Sequence, residues 1–311
     1  MNILKSVYAT ALIASCSMTA PTVAGLVAPD EIVGEIDASK ITKMSDSEVK
    51  NLWDSRKDLG LLFSNWTTGF TANANANGQN GWGASGGTVT GTSNYRITAT
   101  RPGGQSGQGL AITKSSSTTR WLYQSVTTAF NARPATEQNV WSDFSIYYDG
   151  GATAPANSAR GGSMDSNGVN WTAGAGIDFG TLSTSHVAGR LRGYAYLTAA
   201  AAGGSAGSYV FNLGAVVSGA QWVNFSTMKE LATGRVYWFY SLDGGTNWAG
   251  SYFDAGLRTI STMEFDYALT NTGVSTSQTV NFGSMALYTT PAPGAIALLG
   301  VAGLVGARRR R

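Results

Sequence analysis

Residues 61 to 290 of this 311-residue chain are predicted to fold as one all-β domain, an antiparallel two-sheet sandwich. Three observations predict it. Apolar and polar residues alternate with period two, as in YRITAT, DFSIYY, RLRGYAYL and RVYWFYSL, the pattern of strands with one buried face. The joints between such runs are rich in Gly, Asn and Ser, and the chain holds 40 Gly. Charged residues make up 13%, about half the usual quarter, while 43% of residues are apolar, enough to bury a core instead of leaving the chain disordered. No solenoid or propeller period, such as about 34 or 42 residues, runs through it.

Taken in order, residues 1–24 read as a secretory signal: Lys5, an apolar stretch from Val7 to Met18, and small residues at Thr22 and Ala24 ahead of cleavage before Gly25. A rival reading starts from Ile13-Ala14-Ser15-Cys16, which resembles a lipoprotein box and would make Cys16 a lipidated N-terminus. Residues 25–60 form a charged linker, since 13 of the chain's 39 charged residues fall between 30 and 58. Within it Ser45 and Glu48 make a capping box ahead of Val49, Leu52 and Trp53 at helical spacing, and Gly60 suits a stop. The spacing predicts a short amphipathic helix packed on the sandwich. From Leu61 about a dozen strands follow, with Asp149-Gly150 and Asp243-Gly244 as hairpin turns. Residues 291–311 carry Pro291 and Pro293, then an apolar run from Ala295 to Ala307, predicted as a hydrophobic helix. The run falls short of the roughly twenty residues of a full span. Arg308, Arg309, Arg310 and Arg311 close it and orient that end toward the cytoplasm.

These terminal residues resemble the PEP-CTERM sorting signals of Gram-negative and related bacteria, with Ala292 where the namesake motif has Glu. The resemblance implies an exosortase-type transpeptidase as partner, membrane attachment through the C-terminal segment before processing, and display at the cell surface or in the extracellular matrix. The order FSNW, NGQNGWGASGG, WSDFSIYYDG, GAGIDFG, QWVNFSTMKELATGRVYWFYSLDGG and VNFGSMALY resembles that of concanavalin A-like jelly rolls.

The chemistry available is narrow. Residues 61–290 contain 11 basic and 10 acidic side chains, so no electrostatic footprint for nucleic acid exists. The one Cys lies in the segment expected to be removed, and the one His, His186, excludes any site of two imidazoles. Glu264-Phe265-Asp266 is similar to the start of the Glu-x-Asp-x-x-Glu strand of laminarinase-type glycosidases, but Leu269 and Thr270 stand where the second Glu belongs. The pair reads as two surface carboxylates, and no catalytic residue is predicted. SLDGGTNW resembles the Asp-box of sialidases, a folding hairpin. Asp165, Asn167 and Asn170 offer one charge, too little for Ca²⁺, so neither metal nor cofactor is expected. His186 is expected in an exposed polar turn.

In RLRGYAYL, alternation places Leu191, Gly193, Ala195 and Leu197 on the core face and Arg190, Arg192, Tyr194 and Tyr196 outward. Rings flanked by donors are how proteins hold sugars, so these four are the candidate glycan-binding residues. The alternative is a ladder that only stabilises the sheet. Trp66, Trp82 and Trp171, near loops, are similar candidates, each read as core in preference to ligand. The function expected is a non-enzymatic, exported glycan-binding or adhesive module for an extracellular polysaccharide. A purely structural matrix component and a jelly-roll hydrolase or lyase are the alternatives.

Overall fold

A computed structural model of the protein describes residues 32–54, 56, 59–85, 94–114, 119–151, 157–165, 170–181, 186–271 and 277–291. The elements in chain order are β1 (Ile32–Ile36), β2 (Thr42–Lys43), α1 (Asp46–Asp54), β3 (Leu59–Ser64), β4 (Gly83–Ser85), β5 (Tyr95–Thr98), β6 (Gly109–Lys114), β7 (Arg120–Ser125) and α2 (Thr127–Asn131). Then come β8 (Glu137–Tyr148), β9 (Asn157–Asp165), β10 (Asn170–Phe179), β11 (Arg190–Leu197), α3 (Ala199–Ala202) and β12 (Gly207–Val216). Strands β13 (Gln221–Glu230), β14 (Arg235–Ser241), β15 (Ala249–Asp254), β16 (Glu264–Asn271) and β17 (Gln278–Pro291) complete the fold.

Two sheets form the sandwich that the alternation predicts. Sheet I runs β1-β12-β11-β10-β9-β16-β7-β4 and sheet II runs β2-β15-β14-β13-β8-β17-β6-β5. Strand β3 also pairs with β17, so β6 and β3 occupy successive stretches of it. All pairings are antiparallel except β1 with β12, which is parallel. The segment read as a linker therefore supplies an edge strand to each sheet, β1 to sheet I and β2 to sheet II.

Between the sheets lies the main core, filled from alternate positions of facing strands: Phe144 and Ile146 of β8, Ala175 and Ile177 of β10, Leu191 and Ala195 of β11, Phe265, Tyr267 and Leu269 of β16. Gly193 sits under the Trp238 ring, where a Cβ would come within 2.6 Å of it, and Trp238 Nε1 donates to Gly174 O at 2.8 Å. Each sheet also carries a buried cluster on its outer face.

Helix α1 covers the outer face of sheet II. The capping box forms: Ser45 N donates to Glu48 Oε2 at 2.8 Å and Glu48 N to Ser45 Oγ at 3.4 Å. Val49 is buried with Trp141, Phe239 and Tyr288, and the Trp53 ring meets Trp141 and Phe239 edge-on. Arg56 then stacks on Trp53 at 3.3 Å and donates to Tyr288 Oη and the Asp143 carboxylate, fixing the helix to β8 and β17.

Of the two Asp-Gly turns, Asp243-Gly244 joins the paired strands β14 and β15 as expected. Asp149-Gly150 does not make a hairpin. It follows β8 of sheet II and leads to β9 of sheet I, a crossover in which Gly150 and Gly151 both adopt positive φ. The Asp-box-like turn behaves as a folding hairpin: the Asp243 carboxylate accepts from Thr246 N, Asn247 N and Asn247 Nδ2 at 3.0, 2.9 and 2.6 Å. These bonds, that from Asn247 N foremost, hold the Asp243 carboxyl down at about 2.

Candidate binding face and clefts

The register of sheet I decides where the Arg/Tyr ladder lies. Arg192 stands between Gly176 of β10 and Asn212 of β12, and Tyr194 between Gly174 and Val210. Leu191, Ala195 and Leu197 point into the core, so the two faces are divided as the alternation predicts. The outward face is not open, however. Tyr194 is 1% exposed and Arg192 4%, whereas Arg190 and Tyr196 are half-buried. The expectation that all four are solvent-facing is corrected, and the cause is a second buried layer. Tyr194 packs with Trp121 of β7, Met164 of β9, Trp171 of β10 and Ala268 of β16.

Arg192 serves this layer as an ion-pair centre. Its Nε donates to Asp178 Oδ2 and its Nη1 to Glu35 Oε1, both at 2.7 Å. Burial alone would lower its pKa, but Asp178, with Glu35 helping, leaves it above its ordinary value. Asp178 also accepts from Ser158 Oγ at 2.7 Å and lies 3.6 Å from His186 Nδ1. His186 is accordingly half-buried against Asp178 and the Phe179 carbonyl, not held in an exposed turn.

Glu264 and Asp266 also differ from expectation. They face outward on β16, opposite Ser125 and Tyr123 of β7, yet are 8% and 2% exposed. Burial raises the Glu264 carboxyl to about 7 and, with the Glu264 charge beside it, pushes Asp266 well above its ordinary range.

Asp165, the charged member of the loop weighed for a cation, is buried and paired with the Arg258 guanidinium, which also lies 4.2 Å above the Tyr196 ring. Asn167 lies outside the described residues. Several buried polar atoms of this face have no hydrogen-bond partner: Trp121 Nε1, Trp171 Nε1, Arg160 Nε and Nη1, Asp165 Oδ1 and Asp266 Oδ2.

A second feature, open to solvent, is not legible in the sequence. The segment after β3 folds back around a cleft of about 460 Å³ lined by Phe63, Asn65, Phe70, Asn80, Trp82 and Gln124. The three described non-glycine residues with positive φ all belong to this segment: Trp66 (61°), Asn73 (61°) and Asn80 (49°). Asn tolerates that conformation, but Trp does not without compensation. Trp66 is compensated by complete burial: its ring lies 5.2 Å from Phe70 and 4.9 Å from Trp82, and its Nε1 donates to Gly283 O at 2.5 Å. Trp66, Trp82 and Trp171 are thus core residues, as read from sequence.

Side-chain amides shape the rest of the cleft. Asn65 Oδ1 accepts from Thr67 N and Thr68 N at 2.9 and 3.0 Å. Asn80 lies against Gly69, where φ is +77° and a Cβ would approach Asn80 Nδ2 to 2.8 Å. Gln124 Nε2 donates to Asn80 O at 2.9 Å, while Gln124 Oε1 is buried and without a partner. Phe63 is 68% exposed at the rim. The sequence signal available was the Asn-rich run TANANANGQNGW, whose closeness to Gln124 only the pairing of β4 with β7 reveals.

No family model matches the sequence, and no curated protein matches it. Among solved structures, the binding domain of botulinum neurotoxin DC in complex with SialylT is 10% identical at a TM-score of 0.40, covering 71% of this chain and 46% of that one. Basic winged bean lectin with Tn-antigen is 8% identical at 0.42, covering 71% and 97%. The exoplasmic/lumenal domain of VIP36 in its Ca²⁺/Man2-bound form is 10% identical at 0.41, covering 69% and 84%. The chain thus spans less than half the length of the neurotoxin chains it matches. Likenesses of this extent carry no function to the present chain.

Proposed function

We propose that the protein is an exported surface or matrix component that binds carbohydrate without cleaving it, in the cleft between Phe63 and Gln124. One observation carries the reading: an open cleft that combines aromatic rings (Phe63 and Phe70, with the buried Trp82 beneath) and side-chain amides (Asn65, Asn80, Gln124), one of which keeps a buried acceptor unused. Sugar hydroxyls donate to such acceptors, and sugar CH faces pack on such rings. The lining has no charged group, which favours a neutral sugar. Its size falls within the range of small-molecule sites.

Export rests on the two terminal segments, which lie outside the described residues apart from Pro291, the last residue of β17. No helix among the described residues is long and apolar enough to cross a membrane. The sorting signal with its exosortase partner accounts for how such a module reaches the surface.

The test is a screen of the purified protein on neutral glycans beside Gln124→Leu and Asn80→Ala. Either variant is expected to weaken binding by about five- to tenfold, the usual worth of a hydrogen bond to a buried group, with thermal melts run alongside. Unchanged binding in both variants would remove the cleft from consideration. Failure of the wild type to bind any neutral glycan would leave the structural-matrix reading.

A further inference from the structure

We infer that the outer face of sheet I holds a second ligand site, distinct from the amide cleft, which takes the carboxylate-bearing sugar of an acidic polysaccharide through Arg160, Trp121 and Trp171. The three side chains are buried, and they sit in one patch. The Arg160 guanidinium lies 4.4 Å over the Tyr194 ring. Trp171 stands 5.6 Å from Tyr194 and 6.0 Å from Trp121. The register explains the assembly: Arg160 of β9 and Trp121 of β7 both face Ala268 of β16, one from either side, with only that small side chain between them.

Four nitrogens of this patch, Arg160 Nε and Nη1 and the two indole Nε1, have N–H groups that no acceptor among the described residues meets. Buried donors are nearly always satisfied, and a buried guanidinium without a counter-charge is costlier still. The neighbouring carboxylates are already committed. Asp178 is paired with Arg192 and Asp165 with Arg258, and burial favours the neutral forms of Glu264 and Asp266. An incoming anion supplies both the charge and the acceptors that Arg160 and the indoles lack. At the margin, Asp165 Oδ1 and Asp266 Oδ2 are unused, so the ligand must carry hydroxyl donors as well. The rings add apolar faces for C–H groups. A carboxylate, hydroxyls and a C–H face on one small unit describe a uronic acid residue.

The test compares oligogalacturonate, its methyl ester and a neutral gluco-oligosaccharide by titration calorimetry on the whole exported protein. Oligogalacturonate is expected to bind in a salt-sensitive manner, and the ester at least tenfold more weakly. Arg160→Met, which keeps the stem over Tyr194 and removes the charge, is expected to lower uronate affinity more than tenfold without lowering the melting temperature. Trp121→Phe and Trp171→Phe, which retain a ring and lose only the N–H, are each expected to lower it several-fold. Wild-type affinity in Arg160→Met, equal binding of the ester, or no uronate binding by the wild type would overturn the inference. Gln124→Leu is expected to retain uronate binding. Loss of uronate binding in that variant would place the acidic sugar in the amide cleft and also overturn it, whereas failure of neutral glycans alone would count only against the amide cleft.

Discussion

Burial on sheet I raises the Glu264 carboxyl to about 7 from its ordinary 4.5, so the folded protein keeps a proton that the unfolded chain releases between those values. The stability contributed by this proton is complete below about pH 4.5 and is lost as pH rises through about 7. The expected size is on the order of 3 kcal/mol, since each tenfold change in proton affinity is worth about 1.4 kcal/mol. Lys229, which burial lowers to about 8, acts in the opposite sense only at higher pH, where the unfolded chain binds the extra proton. A melting temperature that falls between pH 5 and pH 8, and a flatter profile for Glu264→Gln, are the expected results; a rising one would contradict the raised Glu264 carboxyl. At this scale the sequence was half legible. Alternation correctly divided Leu191 and Ala195 from Arg192 and Tyr194, because the pleat is a local property. What covers a face is not local. Trp121, Met164 and Trp171 come from three other strands, and only their pairing shows that Tyr194, Glu264 and Asp266 are buried.

Strand β9 lies in the middle of sheet I, yet its sequence, NSARGGSMD, shows no apolar alternation. The reason is the size of its neighbours. A Cβ on Gly161 would come within 2.9 Å of the Phe144 ring, so the core side of β9 must stay small where β8 and β16 fill the space with rings. Gly162, at φ 141°, would place a Cβ 2.4 Å from Ala173 O, a backbone atom that cannot step aside. Gly162→Ala is therefore expected to destabilise the protein by about 2 kcal/mol or more, read as a drop in denaturation midpoint. A neutral outcome would mean that β9 does not sit in the central register. Helix α1, by contrast, was legible in its start and its stripe, since the capping box and Val49, Leu52 and Trp53 are complete within nine residues, but it ends at Asp54 and Gly60, read as its stop, lies in β3. Edge strands β1 and β2 were missed because a charged segment of mixed pattern gives no strand signal until a sheet edge is present to pair with it.

For the whole molecule, the sandwich was legible because period-two alternation persists through the chain, whereas the order of strands was not, since pairing partners lie far apart in sequence. The sorting role proposed for the C-terminal segment reaches beyond the fold. Neutral residues in place of Arg308 to Arg311 are expected to leave the protein longer by its tail and missing from the surface, because the orienting charge is gone; normal size and display would exclude a sorting role. The position of β17 gives that tail a mechanical meaning. Strand β17 ends at Pro291, itself the first residue of the tail, and along its length it is bonded to β8 on one side and to β6 and then β3 on the other. A protein tethered through this end receives any pull from its surroundings along the axis of an interior strand. Hydrogen bonds on both sides of β17 then resist together in shear, and none can be opened one at a time from an edge.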